Sequence, residues 1–492
     1  MGMVLNTNIG SIQAQRALTE SRAEMEKAME RLSTGLRINS AADDAAGLAI
    51  VERMNTQIRG LTMATKNAND GIALIKTVEN ALVEVSGMLQ RMRELSVQAS
   101  NDTNTATERA FANNEVSQLQ LEISRVSLNT RYNGAQVLNG SFAAKTLQVG
   151  TEAGETIAFS IDTVESATLG AFVLTSLNQA ALTNTGAATP LTGQAHAQDI
   201  TITAGSNSRT IEISANDSVR TITKRINAVA GATGVTAEAR TFARLSSVDT
   251  TGAATAKIKI NGTETAAFSL SSSDVSDAVT KINAISATTG VQASATDDYK
   301  VLLSDKWGDT IKIQNTSTRT NIKVESLAND GITAHSTAIT MATADANSSS
   351  ATVTGTMRLT SATEFSLDSS AASGDEWFSD ANTPAALSSV GTVDITSRIK
   401  ASDAIAIIDG AIQKISGMRG GLGTLQNRLD YTVSNLMKVT EYTTGARSRI
   451  QDADFAAETA RLAKAQVLQQ AGAAMLSQAN GSTDVILQII RG

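Results

Sequence analysis

A long stretch of apolar residues at heptad spacing, residues 48–97, restricts the fold of this chain more than any other feature. The residues that recur at steps of three, four and seven are Ile58, Leu61, Ala68, Ile72, Ile75, Leu82 and Leu89. This spacing places them on one stripe of a helix. About fifty residues at ~1.5 Å each make a rod of roughly 75 Å. A single helix cannot bury such a stripe, so the stretch requires partner helices of similar length.

The partner stretch lies more than 300 residues further along the chain. Its apolar residues, Ile408, Ile415, Leu422, Leu429 and Leu436, recur at every seventh position. Two distant stretches with matching periods predict a bundle assembled from the two ends of the chain, with the intervening residues inserted. The predicted fold is therefore mainly α: an elongated, coiled-coil-like helical bundle built from both termini, with a central, β-rich α+β insert as an outer region.

Charge and composition exclude several classes of protein. The 41 Lys and Arg against 48 Asp and Glu give a formal net charge of −7 without a basic patch, so no nucleic-acid partner is expected. The chain has no cysteine, which excludes disulfides, thiol nucleophiles and cysteine-ligated zinc. The N-terminal sequence is not typical of a general secretory signal peptide, and no apolar run is long enough for membrane insertion.

Both ends of the chain carry further apolar patterns, outside the two long helical stretches. Residues 11–36 form a thin apolar stripe, and residues 454–491 are apolar or small on two faces of a helix. Such helices are marginal alone, so we expect assembly surfaces that stay poorly ordered in the monomer. The candidate assembly residues are Leu18, Met25, Met29 and Leu32 near the N-terminus, and Leu462, Leu468, Met475 and Leu476 near the C-terminus.

The residues between these helical stretches predict local features. A turn-rich joint at residues 33–44 ends with Asp43 and Asp44, whose adjacent carboxylates point about 100° apart on a helix and favour a helix start over a joint acid or metal site. Residues 112–126 predict a second, shorter helix. The alternating segments 146–149 and 156–161 predict a β-hairpin beside the bundle.

Several runs of residues resemble bacterial flagellin. The resemblance covers roughly the first 175 and the last 95 residues and is absent from the middle. The matching runs are LSTGLRINSAADDAAGLAI at 32–50, QIRGL at 57–61, NANDGI at 67–72, LQRMRELSVQAS at 89–100, RYNGAQVLNG at 131–140, LGTLQNRLD at 422–430 and SRIQDADFAAETARL at 448–462.

This resemblance implies a domain organisation and a function. Residues 1–43 with 455–492 would form the inner core of a filament, residues 44–178 with 399–454 a bundle with a β-hairpin, and residues 179–398 a variable surface insert. The implied function is polymerisation into the flagellar filament used for swimming. The implied partners are further copies of the chain, junction and cap proteins, and an export chaperone at the C-terminal helix. The implied location is extracellular, after export through the flagellar type III apparatus.

The resemblance also implies recognition by the Toll-like receptor that detects flagellin. The matching positions are Gln90, Arg91, Leu95 and Glu115. Arg91 and Leu95 lie four residues apart, which predicts a donor fork beside an apolar contact on one helix face. Leu119 and Gln120 occupy the region where receptor-active relatives tend to carry an arginine, which is a departure from the pattern.

The central region contains an internal repeat. Ile226, Asn227 and Ala228 with the run Thr-Gly-Val that follows reappear 56 residues later, beginning at Ile282. The repeat predicts two small α+β units, at about 198–240 and 256–297, each with an Asp- or Ser-capped helix. The simplest interpretation is a solvated decoration without a ligand. N-x-S/T patterns, such as those at Asn216, Asn261 and Asn315, are typical of chance in such a composition.

The sequence does not predict an enzyme. The two histidines, His196 and His335, are outside any H-E-x-x-H helix, and the glycine run at 417–425 lacks the lysine and preceding strand of a phosphate loop. That run favours close packing or a soft point in a helix. No cofactor and no metal are expected. Two alternatives to a filament subunit remain at this point: a hook-filament junction protein, and a secreted adhesin built on a flagellin frame.

Overall fold

A computed structural model of the chain describes residues 7–176, 182–184, 198–214, 217–247, 254–296, 298–317, 322–335, 337–342, 349–370, 378 and 382–491. The chain forms two compact units. The first comprises Met1–Lys76, Ala144–Phe159 and Gly423–Gly492, and the second comprises Thr77–Ala143 and Ser160–Leu422. The two longest helices each contribute residues to both units.

The helices confirm the helical prediction for both ends of the chain. They are α1 (Ile9–Thr34), α2 (Ala45–Ala99), α3 (Ala106–Asn129), α4 (Val219–Ala228), α5 (Ala230–Thr233), α6 (Ser276–Asn283), α7 (Ser286–Thr289), α8 (Arg398–Gln451) and α9 (Phe455–Arg491). The heptad stretch forms α2, with 55 residues, and its predicted partner forms α8, with 54 residues. The shorter helix predicted after α2 is α3.

The strands lie almost entirely in the central region. They are β1 (Arg131–Tyr132), β2 (Ala135–Gln136), β3 (Lys145–Gln148), β4 (Thr156–Phe159), β5 (Gly170–Thr175), β6 (Leu182–Asn184), β7 (Gln198–Ala204), β8 (Asn207–Ile213), β9 (Thr236–Ser247), β10 (Ala254–Ala256), β11 (Ile258–Ile260), β12 (Thr263–Glu264), β13 (Phe268–Leu270), β14 (Gln292–Ala295), β15 (Val301–Asp305), β16 (Ile311–Asn315), β17 (Ile322–Ser326), β18 (Ile339–Met341), β19 (Ser350–Val353), β20 (Thr356–Ser361), β21 (Ser366–Ser369), β22 (Thr383–Pro384) and β23 (Ala386–Ser389). Helical termini with a central β-rich region are thus confirmed.

In the first unit, α1 and α9 pack side by side and run antiparallel. The side chain of Asn8 donates to the carbonyl of Ala479 at 2.9 Å, near one end of the pair. At the other end Arg31 meets Glu458 at 3.1 Å. The predicted hairpin is β3 paired with β4, and it lies against α2, where the Asn67 amide donates to the Gln148 carbonyl at 3.0 Å.

The joint between α1 and α2 is held by its two adjacent carboxylates. The Asp44 carboxylate accepts from the backbone N–H of Gly47 at 2.9 Å and so caps the first turn of α2, which confirms the predicted helix start. The Asp43 carboxylate instead turns back to the joint and accepts from the backbone N–H of Ser40 at 3.1 Å. The two side chains diverge, as expected for neighbours on a helix.

In the second unit, the C-terminal part of α2, the helix α3 and the N-terminal part of α8 form a bundle. A capping box starts α3, because Thr105 and Glu108 each accept from the other's backbone N–H. The bundle buries Leu82 and Leu89 of the predicted α2 stripe and Ile408 and Ile415 of the predicted α8 stripe, and it also buries Val78, Val85 and Met92 of α2 and Ile123 of α3.

The remainder of the second unit is the insert, in which β9 is the central strand. It pairs antiparallel with β20, β15 and β17. The main sheet has the order β14-β15-β9-β20-β5-β23, and separate sheets have the orders β12-β11-β16-β19-β6 and β22-β21-β7-β8. Two apolar cores form around these sheets, one containing Ile226 of α4 and the other containing Ile282 of α6.

The internal repeat is visible in the described residues of both predicted units; residues 215, 216 and 297 lie outside them. Each copy has a helix, a short second helix and a strand. The second helix ends at a glycine in the left-handed conformation, Gly234 (φ 70°) in one copy and Gly290 (φ 74°) in the other. Ser218 caps α4, whereas α6 has no side-chain cap at its N-cap residue, and Asp274 instead accepts from the backbone N–H of Ser276.

Candidate assembly and recognition surfaces

Several large apolar side chains of the α1 and α9 pair are exposed. Met475 is 65% exposed, Met29 47% and Leu468 45%. The other candidate assembly residues, Leu18, Met25, Leu32, Leu462 and Leu476, are half-buried. Further exposed large apolar side chains on the same helices are Ile9, Ile12, Phe455 and Val467. Exposed apolar residues at this density on one helix pair are typical of a surface that another molecule covers.

The interface between α1 and α9 is built from small residues. Those that α1 buries are Ser11, Ser21 and Ala28. The Ser21 hydroxyl donates to the carbonyl of Ala465 at 3.1 Å, so the backbones approach closely. Gly472 faces Leu18, and a Cβ on this glycine would lie 3.4 Å from the leucine side chain. Because the small residues occupy the interface, most of the large apolar side chains are left on the outside.

A cluster of charged side chains joins α1, the joint and α9. Glu458 is buried and pairs with Arg31 at 3.1 Å and with Arg461 at 3.2 Å. Lys27 pairs with Asp43 at 2.8 Å. The hydrogen bond from Lys27, together with those from the backbone of Ser40 and Asn39, holds the pKa of the Asp43 carboxyl well below its ordinary value. This cluster fixes the register of the two terminal helices near the start of α2.

The candidate receptor surface lies on α2 and α3. The Nε of Arg91 donates to Glu115 Oε1 at 2.7 Å, and its NH1 group donates to Glu94 at 3.0 Å. These bonds raise the pKa of Arg91 above its ordinary value. Gln90 is exposed beside this ion pair. Arg91 and Glu115 therefore form a polar surface that spans two helices.

Leu95 does not share this exposed surface, which corrects the expectation of an apolar contact beside Arg91. Its side chain is only 3% exposed and belongs to the interior of the bundle. The reason is geometric: four residues advance a helix by about 400°, so the second residue is offset by roughly 40° from the first. At the edge of an apolar stripe this offset moves a side chain from solvent into the core.

Two features of α3 were not found from the sequence. The Gln120 amide donates to the carbonyls of Val390 and Val393, both at 2.9 Å, and so attaches α3 to the segment that precedes α8. Phe111 and Leu121 are large apolar residues that α3 exposes. The helical spacing alone gave no signal for either feature, because both depend on which face of α3 the rest of the unit covers.

The candidate chemical sites behave as structural residues. Within the described ranges, no group of three or more His, Asp or Glu side chains is placed to hold a metal ion, and no described helix is long and apolar enough to cross a membrane. Asn315 is fully buried, and Asn261 uses both ends of its amide, to the Lys312 backbone N–H and to the Thr289 carbonyl. Asn216 and His196 lie outside the described residues.

Comparisons with known proteins agree with the helical termini. Residues 5–143 match the family described as the bacterial flagellin N-terminal helical region, and residues 405–490 match the bacterial flagellin C-terminal helical region. Residues 199–251, which include the first copy of the repeat, match the flagellin hook IN motif.

Relatives match over the whole chain. The B-type flagellin of Pseudomonas aeruginosa is 36% identical over 496 residues, and the flagellin of Salmonella rubislaw is 32% identical over 515 residues; in both cases 100% of each chain is covered. Among solved structures, FliC from Burkholderia pseudomallei is 17% identical, with a TM-score of 0.31, 73% of this chain covered and 99% of that chain covered.

The full-length match to proteins named flagellins favours a filament subunit over a junction protein or an adhesin, and it favours a structural protein over an enzyme. The apolar face of the terminal helices is consistent with a subunit that buries surface against further subunits. The chain belongs to the bacterial flagellins, the structural subunits that polymerise into the extracellular filament of the flagellum.

Proposed function

We propose that this chain assembles through the outward face of α1 and α9, which we call the terminal face and define by Ile9, Ile12, Met29, Val467, Leu468 and Met475. The observation that carries this proposal is the exposure of these large apolar side chains on helices whose mutual interface is made of small residues. In the filament, residues 1–43 with 455–492 form the inner core. Residues 44–178 with 399–454 surround it, and residues 179–398 face solvent.

Burial of the terminal face supplies the free energy of assembly. Each large apolar side chain contributes about 1.5–3 kcal/mol when it moves from water into a packed interface. Ordering the terminal helices costs conformational entropy, so we propose that they are poorly ordered in the free monomer and fold against neighbouring subunits. A single chain cannot bury this face, so the terminal helices order only when a neighbouring subunit is present. Polymerisation is therefore disfavoured at low concentration.

The experiment is seeded polymerisation followed by electron microscopy. The intact chain, a chain that lacks residues 454–492, and the variant Leu468→Ser with Met475→Ser are each mixed with filament fragments. The intact chain is expected to form long filaments, and both altered chains are expected to fail. Leu387→Ser is the matched control, because Leu387 is an exposed leucine on β23 of the insert.

Filament growth by the double serine variant at the rate of the intact chain would contradict the terminal face as the assembly surface. Failure of the Leu387→Ser control would show instead that any loss of exposed apolar surface stops growth. Capping of seeds without elongation by the intact chain would favour a junction protein.

We propose that the same terminal face is covered before assembly. An export chaperone binds α9, and the N-terminal region directs export through the flagellar type III apparatus to the junction and cap proteins. The sequence of α9 supports the binding of a chaperone there, because α9 is predominantly apolar or small on two faces. If the proposal is correct, the chaperone protects α9 of the intact chain from proteolysis, and Leu468→Ser with Met475→Ser abolishes the protection.

We propose that Gln90, Arg91 and Glu115 form the surface that the Toll-like receptor for flagellin contacts, with Leu95 supporting them from beneath. The ion pair between Arg91 and Glu115 supports this, because it joins α2 and α3 into one polar surface. Arg91→Ala should lower receptor activation in a reporter-cell assay by about tenfold or more. Arg125→Ala is the matched control, since Arg125 is an exposed arginine of α3 that pairs with Glu122.

A further inference from the structure

A cavity of about 480 Å³ lies within the insert, where α4, β9, the loop after β15 and the first turn of α8 meet. Its volume is in the range of pockets that hold a small molecule of one or two rings. The cavity is distinct from the terminal face and from the surface around Arg91. Neither the filament nor receptor recognition accounts for it.

The lining of this cavity contains more basic than acidic residues, in a chain of net charge −7. Its basic residues are Arg220, Lys224, Arg240, Lys306 and Arg398, and its acidic residues are Glu238 and Asp305. The three arginines have carboxylate partners, in Asp309, Asp403 and Asp102 respectively. In the part of the chain that the structure describes, Lys224 and Lys306 form no ion pair, so two ammonium groups are available to an anion.

An exposed tryptophan stands at the edge of the cavity. Trp307 is 54% exposed, and its ring centroid lies 5.0 Å from Nζ of Lys306 and 5.3 Å from Cζ of Arg220. The loop that carries it is fixed by Asp305, whose carboxylate accepts from the backbone N–H groups of Trp307 at 2.8 Å and Asp309 at 3.2 Å. The indole is thus held in place before any ligand arrives, and the two cations lie over its ring.

Two polar atoms in the same wall are without partners. The hydroxyl of Thr223, a residue only 8% exposed, and Nε of Arg220 are enclosed and have no hydrogen-bond partner among the described residues. Buried polar groups are almost always hydrogen-bonded, and each one left unpaired is destabilising. A ligand oxygen that displaced part of this wall would supply a partner for either atom. Uncharged donors and acceptors complete the lining, at Gln292, Ser304 and Ser402.

We propose that this cavity binds a carboxylated pyranose, such as a uronic acid unit of an acidic glycan. The apolar C–H face of a pyranose suits the indole of Trp307. The carboxylate suits the free ammonium groups of Lys224 and Lys306. The ring hydroxyls suit the amide and hydroxyl groups of the wall. A simple inorganic anion would use only the cations, and a neutral sugar would use only the indole and the uncharged groups.

The test uses the full-length chain with Trp377→Phe. Trp377 is the other of the two tryptophans in the sequence and lies outside the described residues, so its replacement leaves Trp307 as the only fluorescent indole. Glucuronate, glucose and sulfate are titrated separately at low ionic strength. Glucuronate should change the indole emission saturably and bind at least tenfold more tightly than glucose or sulfate. Added salt should weaken the binding, because the ammonium groups are partly exposed.

Variants locate the site. Lys224→Gln and Trp307→Leu should each weaken glucuronate binding at least fivefold, with calorimetry as the readout for the tryptophan variant. Thr223→Val should also weaken binding while the melting temperature of the ligand-free chain stays equal or rises, since an unpaired hydroxyl is removed. Lys323→Gln is the control, because Lys323 is an exposed lysine on β17 away from the cavity.

Several results would overturn the proposal. Equal affinity for glucose and glucuronate would make this a neutral-sugar site, and equal affinity for sulfate would make it a simple anion site. Unchanged glucuronate binding in both Lys224→Gln and Trp307→Leu would place the sugar elsewhere. The absence of any saturable response up to about 50 mM glucuronate would show that the cavity does not bind uronic acids. None of these results depends on whether the chain forms filaments.

Discussion

The terminal helices and the insert are both rich in small residues, yet they use them in opposite ways. In α1 the buried residues are Ser11, Ser21 and Ala28, whereas its large apolar side chains are half-buried or, at Ile9, Ile12 and Met29, exposed. In the insert the large side chains are inside, and Phe268 and Phe365 are among its most deeply buried residues. The insert therefore completes its cores within one chain, whereas the terminal pair keeps apolar surface for another molecule. This contrast is what the proposed assembly through the terminal face requires, because that face is the apolar surface that a single chain leaves exposed.

The two copies of the repeat show how the insert closes its cores without long helices. Equivalent positions are buried in both copies, 56 residues apart: Val219 and Val275, Ile222 and Ala278, Ile226 and Ile282, and Val235 and Val291. Each copy places its helix over its own apolar core, so neither copy needs the other to bury its repeat residues. The terminal helices have no comparable second layer.

The largest expected effect is loss of a core side chain in the insert. Phe268→Ala should lower the free energy of unfolding of the insert by about 3–5 kcal/mol, since it leaves a cavity in a closed core. Met475→Ala should change the unfolding free energy of the monomer by no more than about 0.5 kcal/mol, because its side chain is exposed. Urea unfolding of the two variants, followed by circular dichroism, measures both. If Phe268→Ala and Met475→Ala lowered the unfolding free energy equally, the insert and the terminal pair would not differ in how they use large apolar side chains.

The next effect compares the two copies of the repeat. Asn227 donates to the Ala237 carbonyl at 2.9 Å and accepts from its N–H at 2.8 Å, and Asn283 makes the same two bonds to Ala293. Asn227→Ala and Asn283→Ala should each cost about 1–3 kcal/mol, because two backbone groups lose their partner. Thermal unfolding of both variants should give shifts of similar size. A large effect in only one copy would show that the copies are not equivalent.

A smaller effect is expected in the terminal pair. Glu458→Gln removes the charge that faces Arg31 and Arg461 and should cost about 1–2 kcal/mol, since the carboxylate is buried and the arginines lose their anion. Glu20→Gln, which removes an exposed pair with Arg16, should cost less than about 0.5 kcal/mol. Hydrogen exchange of α1 and α9 amides, measured in assembled filaments, separates the two variants. Equal exchange rates in both would mean that Glu458 does not hold the register of the pair.

The glycines of α8 give a smaller effect in the opposite direction. The run that favoured close packing or a soft point does not pack closely, because a Cβ at Gly417, Gly420, Gly421 or Gly423 would meet no atom within 4 Å. Gly420→Ala should raise the free energy of unfolding by about 0.5–1 kcal/mol, the difference in helix propensity. Gly410→Ala is the contrasting variant, because its Cβ would lie 2.7 Å from Ala171 and 2.9 Å from the Gly170 carbonyl oxygen. That variant should be destabilised, and denaturant unfolding compares the pair.

The sequence predicted the features that depend on local pattern. Heptad spacing located α2 and α8, the paired carboxylates located the start of α2, and the recurrence of Ile226 at Ile282 located two equivalent units. Features that depend on which face a neighbour covers were missed, as Leu95 and Gln120 show. The sequence also did not predict that β9 is the central strand. Its partners come from distant parts of the chain, and strand register is set by long-range pairing.

The cavity of the insert was beyond sequence analysis for the same reason. Its residues belong to α4 and β9, to the loop that follows β15 and to the start of α8, and these three stretches of sequence are far apart. Lys224, Trp307 and Arg398 are unremarkable one by one in a chain with 41 basic residues. Lys306 is next to Trp307 in the sequence, but only the fold brings Lys224 to the same cavity.

The smallest expected effect is a pH dependence that distinguishes the joint from the rest of the terminal pair. The bond from Lys27 lowers the folded-state pKa of Asp43 below its ordinary value of 3.8, so the ionised form is favoured by folding. The stabilisation is therefore complete above the unfolded-state pKa and is lost as the pH falls through the folded-state value. Because the site is solvent-accessible, salt should reduce the effect.

Hydrogen exchange at the Ser40 amide, measured between about pH 5 and pH 2.5, should accelerate on acidification beyond its intrinsic pH dependence. Asp43→Asn should remove this acceleration while Asp44 still caps α2. An unchanged acid dependence in that variant would assign the titration to another carboxylate, and the joint would then be held by its backbone bonds alone.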